Sequence, residues 1–305
     1  LVELSKRSGL YPQRLLLPNI DIRGAQVAGG TFGDVWKGDL DGRAVAVKKM
    51  RVFDSSDVQA LAYSKEAVLW AQLSSPYVLP FCGVYCADEP CPRACLVSPW
   101  MDNGNLPRYL KENPKTNRLQ LMLDVALGLE YLHSFRPPVV HGDLKGLNIL
   151  ITSDLRACIA DFGLSITAQD SKIYFTVTAT SNVQGSTPWM APELFDCNNA
   201  ERRRKSCASD VYALGCVGYE MYAGQPPFSE HHFPLMAIMQ NLQLLRPAST
   251  ELDDAIWELI EKCRGTDPAS RPDAGELVRQ LRCHPGARDY ELAPVSVWHQ
   301  KKGAT

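Results

Sequence analysis

The chain has 305 residues, 45% hydrophobic and 22% charged, with a formal net charge of −2. That length allows one large or two ordinary domains with a substantial core, and the near-neutral balance excludes a global pull toward nucleic acid or anionic membrane. No apolar run approaches the roughly 18–20 residues of a membrane span, so a cytoplasmic protein without a span is expected.

The chain begins with Leu1, and "LVELSKRSGLYPQ" lacks the apolar centre of a signal peptide. It reads as a piece cut from a longer protein, with residues 1–19 an N-terminal extension. The first third then reads as strands interrupted by one helix. In "VAGGTFGDVWKGDL", Ala28, Gly29, Gly30 and Gly33 form a glycine-rich turn with Val35 and Trp36 behind it. Such a turn either closes a hairpin or lets the backbone approach a phosphate. In "RAVAVKKM", Val45 and Val47 share one strand face, and Ala46 and Lys48 the other. Lys48 is either a snorkelling strand residue or a cation for phosphate. Val58, Leu61, Ala62, Val68, Leu69 and Leu73 predict a helix over 57–73, on which Glu66 alone would be a solvated position.

Ten cysteines are present, and Cys82, Cys86, Cys91 and Cys95 are spaced C-x3-C-x4-C-x3-C. Structural zinc sites bring close ligand pairs separated by a longer loop, so reduced, scattered thiols are expected instead.

After "MDNGNL" the pattern turns helical, placing a junction near residues 100–104. Leu119, Met122, Val125, Ala126, Leu129 and Leu132 predict one apolar helical stripe. "SDVYALGCVGYEMY" predicts a helix capped by Ser209, and Ile256, Leu259, Ile260 and Cys263 share a face of another. "ERRRKS" at 201–206 reads as solvated surface or as a dock for acidic segments. The tail from Pro285 to Thr305 lacks periodicity and is expected to be mobile or to dock elsewhere.

The densest chemistry is "HGDLKGLNIL", His141 to Leu150. Asp143 could accept or orient a hydroxyl proton, Lys145 could neutralise phosphoryl charge, and Asn148 offers an oxygen to a hard cation. Thirteen residues later, "ADFGL" sets Asp161 at a strand end before a glycine, suited to Mg2+. Each piece alone could be a turn. In this order, with two oxygen ligands and two cations, they point to phosphoryl transfer.

With "APE" at 191–193, "SDVYALG" around Asp210 and "DPASRP" at 267–272, the chain from about 20 to 281 resembles a eukaryotic protein kinase catalytic domain. "DLKGLN" is similar to serine/threonine specificity. "GSTPWMAPE" and "RPDAGELVRQL" look most like the tyrosine kinase-like group, and "ELSKRSGLYPQ" like its fungal members. The resemblance implies an α+β, two-lobed fold: a small strand-rich lobe with one helix at 20–97, a hinge at 98–104, a mainly helical lobe at 105–284 and a tail at 285–305. It implies ATP and Mg2+ as cofactors, protein serine and threonine hydroxyls as acceptors, and an upstream kinase or autophosphorylation partner.

By the same resemblance, Lys48 binds the α/β-phosphates and pairs with Glu66. Asp143 is the catalytic base, Lys145 a phosphate contact, and Asn148 and Asp161 the Mg2+ ligands. The nucleotide is lined by the residues from Ala28 to Gly33, Val35, Ala46 and Leu150, with Ser98 behind adenine and Pro99 and Met101 offering hinge backbone. His141, Phe162 and Gly163 are structural, Glu193 pairs with Arg271, and Asp210 braces the catalytic loop.

Two departures stand out. Ala28 replaces the usual first glycine of the loop, which implies altered nucleotide affinity, with Gly29 compensating in part. Gly142 replaces an arginine that pairs with phosphate on the activation segment. Thr176, Thr178, Thr180 and Ser181 are candidate phosphorylation sites without that receiver, unless Lys172 or Lys49 substitutes. Activation is therefore expected to depend less on loop phosphorylation. The alternatives are a nucleotide-binding pseudokinase or scaffold, and a small-molecule kinase. The platform formed by "APE" and "GSTPW" argues against the small-molecule kinase.

Overall fold

The computed structural model describes residues 12–22, 26–30, 33–50, 66–86, 94–162, 165–167, 185–196, 203–287 and 290–293. The chain divides into two compact units, residues 1–102 with 294–305, and residues 103–293.

The first unit is built on an antiparallel sheet. Its strands are β1 (Asp21–Ile22), β2 (Ala28–Gly30), β3 (Gly33–Leu40), β4 (Arg43–Met50), β5 (Gly83–Cys86) and β6 (Ala94–Pro99). The order is β1-β3-β4-β6-β5, with β2 paired to β3. Alternation along β4 sends Val45 and Val47 into a core with Ile20, Cys95 and Val97. Of the helix predicted over 57–73, residues 66–70 are helical and 51–65 lie outside the described residues. That helical segment is fixed by Trp70, whose Nε1 donates to Leu79 O at 2.6 Å and whose ring lies 5.1 Å from that of Phe81.

Cys86 is disulfide-bonded, which corrects the expectation of reduced thiols throughout. Sequence spacing carries no information on which sulfurs meet in space. Such a bond is one that a reducing compartment does not favour.

The second unit is mainly helical: α1 (Leu106–Glu112), α2 (Arg118–His133), α3 (Cys207–Ala223), α4 (Pro234–Met239), α5 (Asp254–Cys263) and α6 (Ala274–Cys283). Short strands β7 (Val139–Val140), β8 (Ile149–Ile151), β9 (Ala157–Ile159) and β10 (Ile166–Thr167) form two antiparallel pairs, β7 with β10 and β8 with β9. The predicted stripe on α2 is buried, but so are Leu121, Leu123 and Asp124 on its other faces. A helix covered on nearly every side is the axis of its unit, not a surface element. The α3 cap is Ser206, not Ser209. Ser206 Oγ accepts from Ser209 N and Ser209 Oγ accepts from Ser206 N, a reciprocal capping box. Either hydroxyl could cap by type, and the extended backbone of Ser206 with the helix starting at Cys207 settles that Ser209 lies inside it. Among the described residues, no helix is long and apolar enough to cross a membrane.

The tail, expected to be mobile or to dock elsewhere, is docked at residues 290–291. Tyr290 Oη donates to Asp124 Oδ1 at 2.6 Å, and Glu291 O accepts from Arg156 at 2.5 Å. Arg156 also lies over the Tyr290 ring, 4.5 Å from its centroid.

Candidate active site

In the first unit, β4 sits between β3 and β6, so Lys48 is flanked by Val35 and Leu96. Its Nζ lies 3.5 Å from Glu66 Oε1, with the two side chains only 16% and 3% exposed. Glu66 is thus a buried ion-pair partner, not the solvated helix position its surroundings in sequence suggest. Ala46 pairs with Lys37 on one side and Ser98 on the other. Ser98 and Pro99 are buried, Met101 half-buried. Ala28, Gly29 and Gly30 pair with Val35, Asp34 and Gly33, closing the glycine-rich segment into a hairpin.

In the second unit, the loop between β7 and β8 gathers the remaining groups. His141 is buried. Its Nδ1 accepts from Asp143 N at 3.3 Å, its Nε2 meets Ala160 O at 3.0 Å, and its ring stands edge-on to Phe162. Asp143 Oδ2 receives Lys145 Nζ at 3.0 Å and Asn148 Nδ2 at 3.0 Å. Lys145 Nζ also donates to Ser186 Oγ at 2.7 Å. Asn148 Nδ2 further donates to Asp143 O, and Ala160 N donates to Asn148 O. Leu150 follows, half-buried, on β8. A carboxylate held this way, beside an ammonium, can accept a proton while charge develops nearby.

The loop backbone is gripped from α3. Asp210 is buried, and its two oxygens accept from His141 N and Gly142 N, each at 2.8 Å. His133 Nε2 meets the same carboxylate at 3.0 Å. Burial alone would raise the Asp210 carboxyl, but the hydrogen bond from His133, then its charge, hold it below the usual range. Burial likewise pulls His133 down, but hydrogen bonds to Asp210 and Cys207 carry it up to about 9. A histidine raised in the folded state stabilises fully below pH ~6.5 and loses that contribution as pH rises through about 9. Urea unfolding of the wild type should therefore lose about 2–3 kcal/mol more than His133→Gln between pH 6 and 9.5. Equal losses in the two proteins would refute the coupling.

One turn before the end of α3, Glu220 accepts from Gly146 N at 3.1 Å and Trp189 Nε1 at 2.9 Å. Burial pushes its carboxyl up to about 7. A Cβ at residue 146 would lie 2.6 Å from a Glu220 oxygen, so the loop can approach this carboxyl only with glycine there. Arg271 forms a bidentate pair with Glu193, both distances 2.7 Å, with the guanidinium side chain fully buried.

The donor set fits a hard cation. Asn148 commits its amide nitrogen to Asp143, which leaves its oxygen for a metal, and Asp161 follows Ala160, the residue bonded to Asn148. Carboxylate and amide oxygens are what Mg2+ takes.

A family model for protein tyrosine and serine/threonine kinases matches residues 22–281. The chain belongs to the protein kinase family. It is 31% identical over 259 residues to the dual specificity protein kinase shkC of Dictyostelium discoideum, covering 83% of this chain and 49% of that one. It is 31% identical over 280 residues to serine/threonine-protein kinase TNNI3K of Mus musculus, covering 88% and 32%. A third relative is serine/threonine-protein kinase VIK of Arabidopsis thaliana, 31% identical over 267 residues, covering 84% and 58%. The kinase domain thus spans less than two thirds of each of these relatives, and the tyrosine kinase-like group is among its kin. The strand-rich unit is the smaller lobe of the kinase fold and the helical unit the larger.

Of the kinase residues expected from the sequence, Gly163, Thr176, Thr178, Thr180 and Ser181 lie outside the described residues, as does Lys172. Lys49 lies over the Trp36 ring. Gly142 has φ +75, a left-handed backbone that glycine adopts freely and an L side chain enters at a cost of roughly 1–2 kcal/mol. Glycine at 142 therefore lets the loop take this backbone without strain. Sequence reasoning missed His133, Ser186 and Glu220. Ser186 was legible as part of "GSTPW", whereas nothing local marks Glu220 or His133.

Proposed function

We propose that this kinase domain transfers the γ-phosphoryl group of ATP to serine and threonine hydroxyls of protein substrates in signalling. The observation that carries the proposal is the Asp143 carboxylate held between Lys145 and Asn148, with Lys145 reaching Ser186. In this reading Asp143 orients the acceptor hydroxyl and takes its proton, and Lys145 neutralises charge on the transferring group. Lys48, fixed by Glu66, holds the α/β-phosphates. Asn148 and Asp161 would hold Mg2+, which supplies neutralisation of phosphate charge when bound. Ala28 and Gly142 tune nucleotide affinity and activation, leaving the reacting groups in place.

The test is incubation with Mg2+, γ-labelled ATP and a general protein substrate, with and without an upstream kinase. Label on serine and threonine is the expected result. Mg2+-dependent thermal stabilisation by ATP with no transfer would replace this reading with that of a nucleotide-binding scaffold, for which Gly142 is the specific observation.

A further inference from the structure

Between the end of α3 and the start of α5 the chain turns large apolar side chains outward. Phe233, Met236, Met239, Leu242 and Leu245 are from 38% to 83% exposed. The inner face of α4 is set by Ala237 and Ile238, which are buried, and a spacing of three puts Phe233, Met236 and Met239 together on the outer side. Single exposed apolar residues need no explanation, but a contiguous group of them does. From His231 to Thr250 the sequence contains no acid, and its one lysine or arginine, Arg246, is paired with Asp254. The same stretch borders a cavity of about 30 Å³, lined by Ile238, Asn241 and Leu242 and, across from them, by Phe228 and Arg264.

Arg264, which ends α5, lies with its guanidinium 5.7 Å from the ring centroid of Tyr212 and 5.5 Å from that of Phe228. Its Nε is buried with no hydrogen-bond partner. Among the described residues no carboxylate reaches ion-pair distance of it, Glu261 included, although Glu261 lines the same cavity. Its other neighbours, the Tyr212 hydroxyl and the Cys216 thiol, are kept neutral by burial. A guanidinium fork is matched by the two oxygens of a carboxylate. The cavity has room for about two water-sized groups, which admits a carboxylate head and excludes a nucleotide. Glu261 on its wall disfavours a doubly charged phosphate. We infer that the outer face of α4 and the Arg264 cavity together form a docking site for an apolar protein segment that carries one aspartate or glutamate. The acid enters the cavity, and the apolar side chains cover residues 233–245. Methionines suit such a surface because they adapt to what packs on them, and a desolvated arginine is a common interface anchor. A second copy of this chain is a poorer occupant, since two such faces paired about a two-fold axis bring no acid to Arg264. The site lies wholly in the helical unit, and it stands whether or not the chain transfers phosphate.

The probe is a display library of random short peptides, selected on the whole wild-type chain. The expected winners carry one aspartate or glutamate among leucine, phenylalanine or methionine. Changing that acid to its amide should weaken binding about tenfold, as should the paired protein variant Met236→Ser with Met239→Ser. Both methionines are exposed, so that variant should keep the wild-type melting temperature. Arg264→Gln should bind the acid and amide peptides alike; should it not fold, the amide exchange decides alone, because it leaves the protein intact. Winners without an acid, or winners indifferent to either the amide exchange or the methionine pair, would overturn the inference. Sedimentation of the chain alone tests the rival occupant: a concentration-dependent dimer that the methionine pair abolishes would also overturn it, giving the face to a second copy.

Discussion

Asp143→Asn should lower phosphotransfer by about 10²–10⁴-fold, the range that a positioned general base contributes, while leaving the melting temperature close to that of the wild type. The substitution keeps the volume of the side chain and one oxygen, so Lys145 and Asn148 retain an acceptor. What it removes is the negative charge and the capacity to take a proton. Single-turnover transfer from γ-labelled ATP, beside a thermal melt, separates the two effects. Wild-type rates in a folded Asp143→Asn protein would remove Asp143 from the chemistry.

Asp124→Ala should destabilise the helical unit by about 3–5 kcal/mol, the cost of leaving a buried charge without its partner. Asp124 is fully buried on α2. It accepts from Arg156 Nε at 3.0 Å and from a terminal guanidinium nitrogen at 2.6 Å, as well as from Ala157 N and Tyr290 Oη. Removing it strands a guanidinium that is itself buried. The double change Asp124→Leu with Arg156→Met should recover most of the loss, because apolar replacements remove both desolvation penalties at once. Urea unfolding of the three proteins is the measurement. A double variant no more stable than Asp124→Ala would mean that the bonds to Ala157 and Tyr290, not the ion pair, set the cost.

The candidate residues for phosphoryl transfer are legible in the sequence because that chemistry demands certain residue types in a fixed order, and short-range spacing carries that order. Lys48 on a strand, then Asp143, Lys145 and Asn148 in one loop, then Asp161, are each defined within a few residues. What stayed hidden depends on contacts made across long stretches of chain. His133 meets Asp210 across 77 residues, and Glu220 meets Gly146 across 74. No local pattern distinguishes a buried Glu66 or Glu220 from a solvated one. The α2 stripe shows the same limit: periodicity finds the most apolar face, but Leu121, Leu123 and Asp124 are buried because other elements surround the helix. The Ser206 cap was missed for a different reason, since two hydroxyls three residues apart satisfy the same local rule.

The anchoring of Tyr290 and Glu291 has a practical corollary for anyone trimming the protein. The family match ends at residue 281, and the last α-helix among the described residues at Cys283, which makes either an inviting place to stop an expressed fragment. Such a cut would take away the Tyr290 hydroxyl from Asp124 and the Glu291 carbonyl from Arg156, letting water reach a guanidinium–carboxylate pair beneath the axial helix. The boundary at which the helical unit is physically complete is Ala293, itself buried, and fragments ended there should outlast the shorter ones under protease.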